Sequence, residues 1–171
     1  SQRWFDRASL IGDKIPYLYK HLPELAEQFP GAKVVITLRS IHEVAQSYQR
    51  RLNDVADRLW DEAGIREALT DWNSLFPAIS DAPSSLSIYV LPYRSFFIEG
   101  LGLEELYDFL ELRLTEGVRA DHERHVHLAR SLANERRLQL SSADIDLIRR
   151  EADFDGYQRT LKLAPTRLRN V

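Results

Sequence analysis

Arg39 and Ser47 carry the clearest chemical signal in the sequence. Arg39 follows the apolar residues 34–38, and Ser47 comes eight positions later. Ligands of open α/β sheets bind outside the carboxyl ends of the strands. A guanidinium at that edge, a helix N-terminus and a hydroxyl about two turns into the helix together suit a phosphate group. On these two residues alone, the simpler interpretation is that Arg39 pairs with a carboxylate and Ser47 faces solvent.

Two apolar segments predict the strands that position Arg39. Residues 33–38 and 86–93 are apolar almost throughout, and helical patterns separate them. Unbroken apolar strands are typical of a parallel sheet covered on both faces, and strands that alternate with helices indicate an α/β fold. Because two strands alone do not make a stable parallel sheet, we expect further strands before residue 1 or in segments assigned here as loops.

The helix after Arg39 has a recognisable beginning. Ser40 and Glu43 have the spacing of a capping box, in which each side chain bonds to the backbone amide of the other residue. We predict that this helix extends from residue 41 to about residue 60. Its apolar face is formed by Ile41, Val44, Ala45, Tyr48 and Leu52. Further helices are predicted at residues 17–29, 65–76, 103–112, 122–140, 142–152 and 154–163.

Length and composition exclude several classes of protein. The 171 residues, 44% of them hydrophobic, suit one packed domain spanning residues 1–171. The net charge of −3 does not indicate bulk nucleic-acid binding. No apolar run approaches the roughly 20 residues of a membrane helix. The lack of cysteine removes disulfides and thiolate catalysis, and it fits a reducing, cytoplasmic compartment.

The first residue also bears on completeness. The chain begins at Ser1 and contains no methionine. We therefore expect it to be part of a longer chain. The alternative is that residues are missing from the written sequence, which would compress the spacings used here.

The stretch "FPGAKVVITLRSIHEVAQS", residues 29–47, resembles the signature of the sulfotransferases that use 3′-phosphoadenosine-5′-phosphosulfate as donor. In that family a helix ends at Phe-Pro, and a strand beginning Ala-Lys or Ala-Arg leads to an arginine. The resemblance implies that Arg39 and Ser47 share the 3′-phosphate of this cofactor. The family often has Asp-Pro after the arginine, whereas this chain has Ser40 and Ile41.

A second motif resembles the part of the family that holds the transferring group. "GDKIP", residues 12–16, is similar to the Glu-Lys-Thr-Pro segment of the bacterial and polysaccharide-type branch. The resemblance implies that Lys14 is the catalytic lysine near the sulfuryl group. Asp13 replaces the glutamate and Ile15 replaces the threonine.

Two later motifs follow in the family's order. "VLPYRSF", residues 90–96, resembles a strand ending in Tyr-Glu, which implies that Tyr93 lies near the adenine; Arg94 departs from the glutamate. "LYDFLEL", residues 106–112, resembles the Phe-Leu-Gly-Leu helix, with Glu111 in place of glycine. The resemblance runs from about residue 12 to residue 112. It implies a P-loop-like parallel sheet flanked by helices, incomplete because the 5′-phosphosulfate loop would precede residue 1.

The implied reaction moves a sulfuryl group to a hydroxyl or amine of a small-molecule or carbohydrate acceptor, without a metal. The base stays open, because the cytosolic branch has a histidine where this chain has Pro16 and the polysaccharide-type branch uses an upstream glutamate. Asp13 is one substitute, although a structural cap is the simpler role. A solvated or capping role is predicted for His42, His122, His125 and His127, and the irregular spacing of the last three with Glu123 argues against a metal site.

The sequence leaves the function and the roles of two groups of residues open to other interpretations. A sulfotransferase-like module that binds without catalysis, or another P-loop nucleotide-dependent transferase such as a kinase, remains an alternative. Arg167 and Arg169 either contact phosphate or form a solvated basic tail. Trp72 either lines an acceptor pocket or packs in the core, and the same choice applies to Trp4, Phe5 and Trp60.

Overall fold

The computed structural model describes residues 10–53, 64–135 and 140–169, and it confirms the predicted α/β organisation. Strands β1 (Lys33–Leu38) and β2 (Ser87–Pro92) form a parallel sheet flanked by helices. The helices are α1 (Leu22–Gln28), α2 (Ile41–Asn53), α3 (Ile65–Ser80), α4 (Leu103–Leu110), α5 (Glu116–Glu135), α6 (Ser142–Glu151) and α7 (Phe154–Leu161). Short 3₁₀ turns occupy Leu18–His21 and Thr166–Leu168, and a π-helical turn occupies Arg94–Ile98.

The register of the sheet brings the carboxyl ends of its strands level with each other. Lys33 pairs with Ser87 at one end, and Leu38 pairs with Pro92 at the other. Helices α2 and α3 lie between the two strands in the chain. Their connection returns the chain to the same edge of the sheet, as a parallel pairing requires.

Apolar clusters cover the two faces of the sheet unequally. One face packs through Leu38 and Val90 against the buried side of α2, α3 and α6, and the fully buried Ile148 belongs to this cluster. The other face packs through Tyr89 and Leu91 on α4 and on the C-terminal turn. Within the described ranges, the apolar cluster on this second face covers β2, whereas Val35 of β1 stays exposed. The expectation of two covered faces is therefore met by β2 and not by β1.

Several helix boundaries differ from the prediction for local reasons. Residues 17–29 do not form one helix, because the first turn is 3₁₀ and α1 begins at Leu22, with a proline in its first turn where a missing N–H costs little. Helix α3 continues through Pro77 to Ser80, since the buried Phe76 and Ile79 hold its last turns against the core. Helix α5 begins at Glu116, before the predicted residue 122. Trp60 lies outside the described residues.

The predicted capping box of α2 is confirmed. The amide of Glu43 donates to Ser40 Oγ at 3.4 Å, and the amide of Ser40 donates to Glu43 Oε2 at 3.3 Å. Ser40 Oγ also donates to the same carboxylate at 2.9 Å. The first turn of α2 is therefore fixed immediately beside Arg39. A second capping box, formed by Ser141 and Asp144, begins α6.

Glu111 occupies the position where the related helix has glycine, and its backbone explains that preference. It ends α4 in the left-handed conformation, with φ 57° and ψ 35°. Glycine adopts this conformation without the steric cost that a Cβ atom brings. The Glu111 carboxylate gains an ion pair with Lys33 Nζ at 2.9 Å, but the glutamate side chain is largely exposed. An exposed pair contributes little, so it offsets only part of the backbone strain.

We expect Glu111→Gly to raise the free energy of unfolding by roughly 0.5–1 kcal/mol, because the relief of strain exceeds the loss of one exposed ion pair. Glu111→Ala is the matched control, since it loses the ion pair and keeps the strain. Urea unfolding of both variants measures the difference. A Gly variant no more stable than the Ala variant would contradict this account.

Candidate functional site

The carboxyl end of the sheet brings Arg39 and Tyr93 together. They are the residues that follow the last pair of the register, Leu38 and Pro92. The Arg39 guanidinium carbon lies 4.0 Å from the centre of the Tyr93 ring, which is a cation–π contact. Tyr93 also packs on Phe97, with ring centres 5.0 Å apart. Two of the four predicted site residues are thus in contact.

The guanidinium of Arg39 has unused hydrogen-bonding capacity. Its side chain is half-buried, and among the described residues no carboxylate forms an ion pair with it. Its Nε atom is buried and has no hydrogen-bond partner. A buried donor without an acceptor costs about 1–3 kcal/mol. The simpler interpretation, pairing of Arg39 with a carboxylate, is not observed within the described ranges.

The backbone of Arg39 is held by an aromatic cluster. The indole N–H of Trp72 on α3 donates to the carbonyl oxygen of Arg39 at 2.9 Å. Trp72 is buried; its ring meets Phe76 edge-on at 4.6 Å and stacks on Tyr157 of α7 at 5.4 Å. Trp72 therefore packs in the core and also fixes the strand end that carries the arginine. Composition alone gave no signal for this hydrogen bond.

Ser47 lies on the same side of α2 as the capping residue, Ser40. Seven residues separate it from Ser40, so on an ideal helix the two lie within about 20° of each other around the axis. Ser47 is half-buried, and its hydroxyl makes no hydrogen bond within the part of the chain that the structure describes. The hydroxyl is therefore free to donate to a ligand that lies along this side of the helix.

Lys14 lies on the exposed segment that precedes the first 3₁₀ turn. Its backbone amide donates to Asp13 Oδ1 at 2.7 Å, and both side chains are exposed. Among the described residues no ion pair involves the Lys14 ammonium, and no hydrogen bond joins it to Arg39 or Ser47. The structure thus brings Arg39 and Tyr93 into contact, whereas Lys14 and Ser47 have no bond to that pair.

A polar cluster that the sequence did not reveal lies next to Ser47. Tyr48 is mostly buried, as its place on the apolar face predicts, but its hydroxyl donates to Asp71 Oδ2 at 2.8 Å. The hydroxyls of Tyr17 and Tyr48 lie 3.2 Å apart, and Lys20 Nζ donates to Asp71 Oδ1 at 2.8 Å. Burial, followed by the hydrogen bonds to Tyr17 and Asp71, raises the pKa of Tyr48. This hydroxyl therefore stays protonated.

The remaining candidate groups are engaged within the protein. Arg94 pairs with Glu99 at 3.3 Å. Arg169 Nε donates to the carbonyl oxygen of Ala164 at 2.6 Å, and the exposed Arg167 lies 3.7 Å from Glu105. On α5, His122 and His125 contact the backbone carbonyls of Phe96 and Asp121. No group of residues in the described ranges has the composition of a metal site.

Fold and site together define an α/β protein with an unsatisfied guanidinium beside an aromatic ring at the carboxyl end of a parallel sheet. Comparison with family models gives a match to the Sulfotransferase family over residues 2–116. This match covers more than half of the chain, so the chain belongs to the sulfotransferase family. No curated protein and no solved structure matches it. Over the described residues, no helix is long and apolar enough to span a membrane.

We expect Tyr93→Leu to lower the free energy of unfolding by about 1–2 kcal/mol, because it removes the ring under the Arg39 guanidinium and the contact with Phe97. Tyr93→Phe is the control; it keeps the ring and should change stability by less than about 0.5 kcal/mol. Urea unfolding of the two variants measures the contrast. Equal losses would show that the ring contact is not what holds this strand end.

Proposed function

We propose that this protein transfers a sulfuryl group from 3′-phosphoadenosine-5′-phosphosulfate to a hydroxyl or amine acceptor, with a carbohydrate as the favoured class. Membership of the family supports sulfuryl transfer in general. The observation that carries the choice of donor is the Arg39 guanidinium, which has a buried, unsatisfied Nε and lies over Tyr93 at the carboxyl end of the sheet. Such a group fits a nucleotide phosphate next to a base.

In this proposal the nucleotide lies across the ends of β1 and β2. Arg39 donates to the 3′-phosphate, and Ser47 donates to the same group from the side of α2. Tyr93 and Phe97 supply an aromatic surface beside the adenine. Trp72 contributes indirectly, because its hydrogen bond to the Arg39 carbonyl holds the backbone from which the guanidinium extends. The strand register supports these roles, because Arg39 and Tyr93 directly follow its last pair, Leu38 and Pro92.

Lys14 stabilises the charge that develops during transfer. The sulfur–oxygen bond to the leaving phosphate breaks as the acceptor oxygen or nitrogen bonds to sulfur, and the acceptor loses its proton. The Lys14 ammonium, exposed and without an ion pair among the described residues, can follow the charge on the leaving phosphate. Asp13, whose carboxylate is exposed, accepts the proton of the acceptor. The alternative base is a carboxylate outside the described residues.

A second candidate function is a sulfotransferase-like module that binds nucleotide without turning it over. The observation that favours it is the exposed Lys14 side chain, which no hydrogen bond or ion pair among the described residues fixes near the Arg39–Tyr93 pair. The two functions differ in one measurement. Both predict binding of 3′-phosphoadenosine-5′-phosphate, the product nucleotide, but only the enzyme releases sulfate from the donor.

We expect Arg39→Ala to weaken binding of the product nucleotide by about 1.5–3 kcal/mol, or roughly 10- to 150-fold, through loss of a charge-assisted hydrogen bond. Titration calorimetry measures the change. Arg94→Ala is the matched control at the end of the neighbouring strand, because Arg94 is exposed and pairs with Glu99. Unchanged affinity in Arg39→Ala would remove the arginine from the donor site.

We expect Lys14→Ala to lower kcat by about 100-fold or more, because it removes charge stabilisation that is needed only in the transition state. Binding of the product nucleotide should change less than about twofold. Release of sulfate from the donor, with water as acceptor, measures kcat without knowledge of the natural acceptor. Lys162→Ala, at another exposed lysine, is the control. Full activity in Lys14→Ala would exclude the lysine from catalysis.

A further inference from the structure

Three residues restrict the backbone between Lys14 and the first helical turn. Tyr17 has φ 62° and ψ 13°, a left-handed conformation that a residue with a large side chain rarely adopts. Pro16 has a fixed φ and keeps Ile15 extended. The amide of Leu18 donates to the carbonyl oxygen of Ile15 at 3.3 Å and closes this turn. The place of Lys14 therefore depends on how Tyr17 is held.

Tyr17 is held by groups on two helices. Its hydroxyl lies 3.2 Å from that of Tyr48 on α2, and Tyr48 donates to Asp71 of α3 at 2.8 Å. Lys20 closes the arrangement, because its ammonium donates to Asp71 and lies 4.5 Å from the centre of the Tyr17 ring. The Asp71 side chain is only 14% exposed, so water competes weakly for its oxygens.

The same arrangement leads to the proposed donor site. Tyr48 is the sequence neighbour of Ser47, and both stand on α2. One helix thus presents a hydroxyl for the donor's 3′-phosphate and holds, one residue later, the turn that follows Lys14. A strained residue persists only where its surroundings fix it, and here the fixing contacts come from this helix and from Asp71.

We infer that Tyr48 and Asp71 are positioning residues for Lys14. They hold Tyr17. Through the restricted turn at Ile15 and Pro16, they also keep Lys14 at a fixed position relative to the helix that carries Ser47. This inference rests on the proposed function, because it needs Lys14 to act on the bound donor. Fixing this segment lowers the entropic cost of placing the ammonium at the reacting group. A lysine on an unrestrained exposed segment would have a lower effective concentration there.

The test compares Tyr48→Phe and Tyr17→Phe in the full chain, each of which removes one hydroxyl and keeps the ring. The amide of Lys20 bonds to the carbonyl of Tyr17 at 2.9 Å, so hydrogen exchange at Lys20 reports on the turn. We expect exchange about threefold faster or more in both variants. We expect kcat for sulfate release to fall about three- to tenfold, with affinity for the product nucleotide within about twofold of wild type.

Tyr107→Phe is the control, since Tyr107 packs on the other face of the sheet and its hydroxyl has no hydrogen bond within the described ranges. It should alter neither exchange at Lys20 nor kcat. The double variant of Tyr17 and Tyr48 should be no worse than Tyr48→Phe alone, because Tyr48→Phe already removes both the contact with Tyr17 and the hydrogen bond to Asp71.

The outcomes separate the two proposals. Unchanged exchange at Lys20 in Tyr48→Phe and Tyr17→Phe overturns the inference, whatever the protein catalyses. Faster exchange with unchanged kcat in an active enzyme also overturns it, because the turn would then be structural only. Failure of the wild-type protein to bind the product nucleotide overturns the proposed function and, with it, this role of Lys14.

Discussion

The parallel pairing of β1 with β2 is the constraint on which the site depends. Since Leu38 stands opposite Pro92, the two strands end at the same level, and the next residue of each chain segment emerges beside the other. The contact between Arg39 and Tyr93 follows directly from this register. A shift of one residue would turn the side chains of a strand to the opposite face and would separate the guanidinium from the ring.

The anchoring of the arginine is as specific as its position. Its carbonyl accepts from the buried Trp72, and the next residue, Ser40, closes the capping box of α2. Backbone on both sides of the guanidinium is thereby fixed before any ligand arrives. A site held in this way needs little reorganisation on binding, so more of the electrostatic attraction appears as affinity.

Sequence patterns predicted the local parts of this architecture and missed the long-range ones. The bounds of β1 and the Ser40–Glu43 box follow from apolar runs and short spacings, and both are confirmed. The contact of Arg39 with Tyr93 could be expected only in outline, because it needs the register. The hydrogen bond from Tyr48 to Asp71 spans 23 positions and has no pattern that marks it. The left-handed backbone conformation of Tyr17 could not be predicted either, because tertiary contacts and not residue preference stabilise it.

The stacking of Tyr157 on Trp72 gives the C-terminal part of the chain a share in a site that it does not touch. The family match ends at residue 116, while Tyr157 stands on α7, well beyond it. This ring stacks on the indole that holds the strand end, so α7 supports the edge at which we propose that the nucleotide binds. Substitutions in this outer helix would therefore loosen the strand end that carries Arg39, even where every residue of the recognisable motif stays the same.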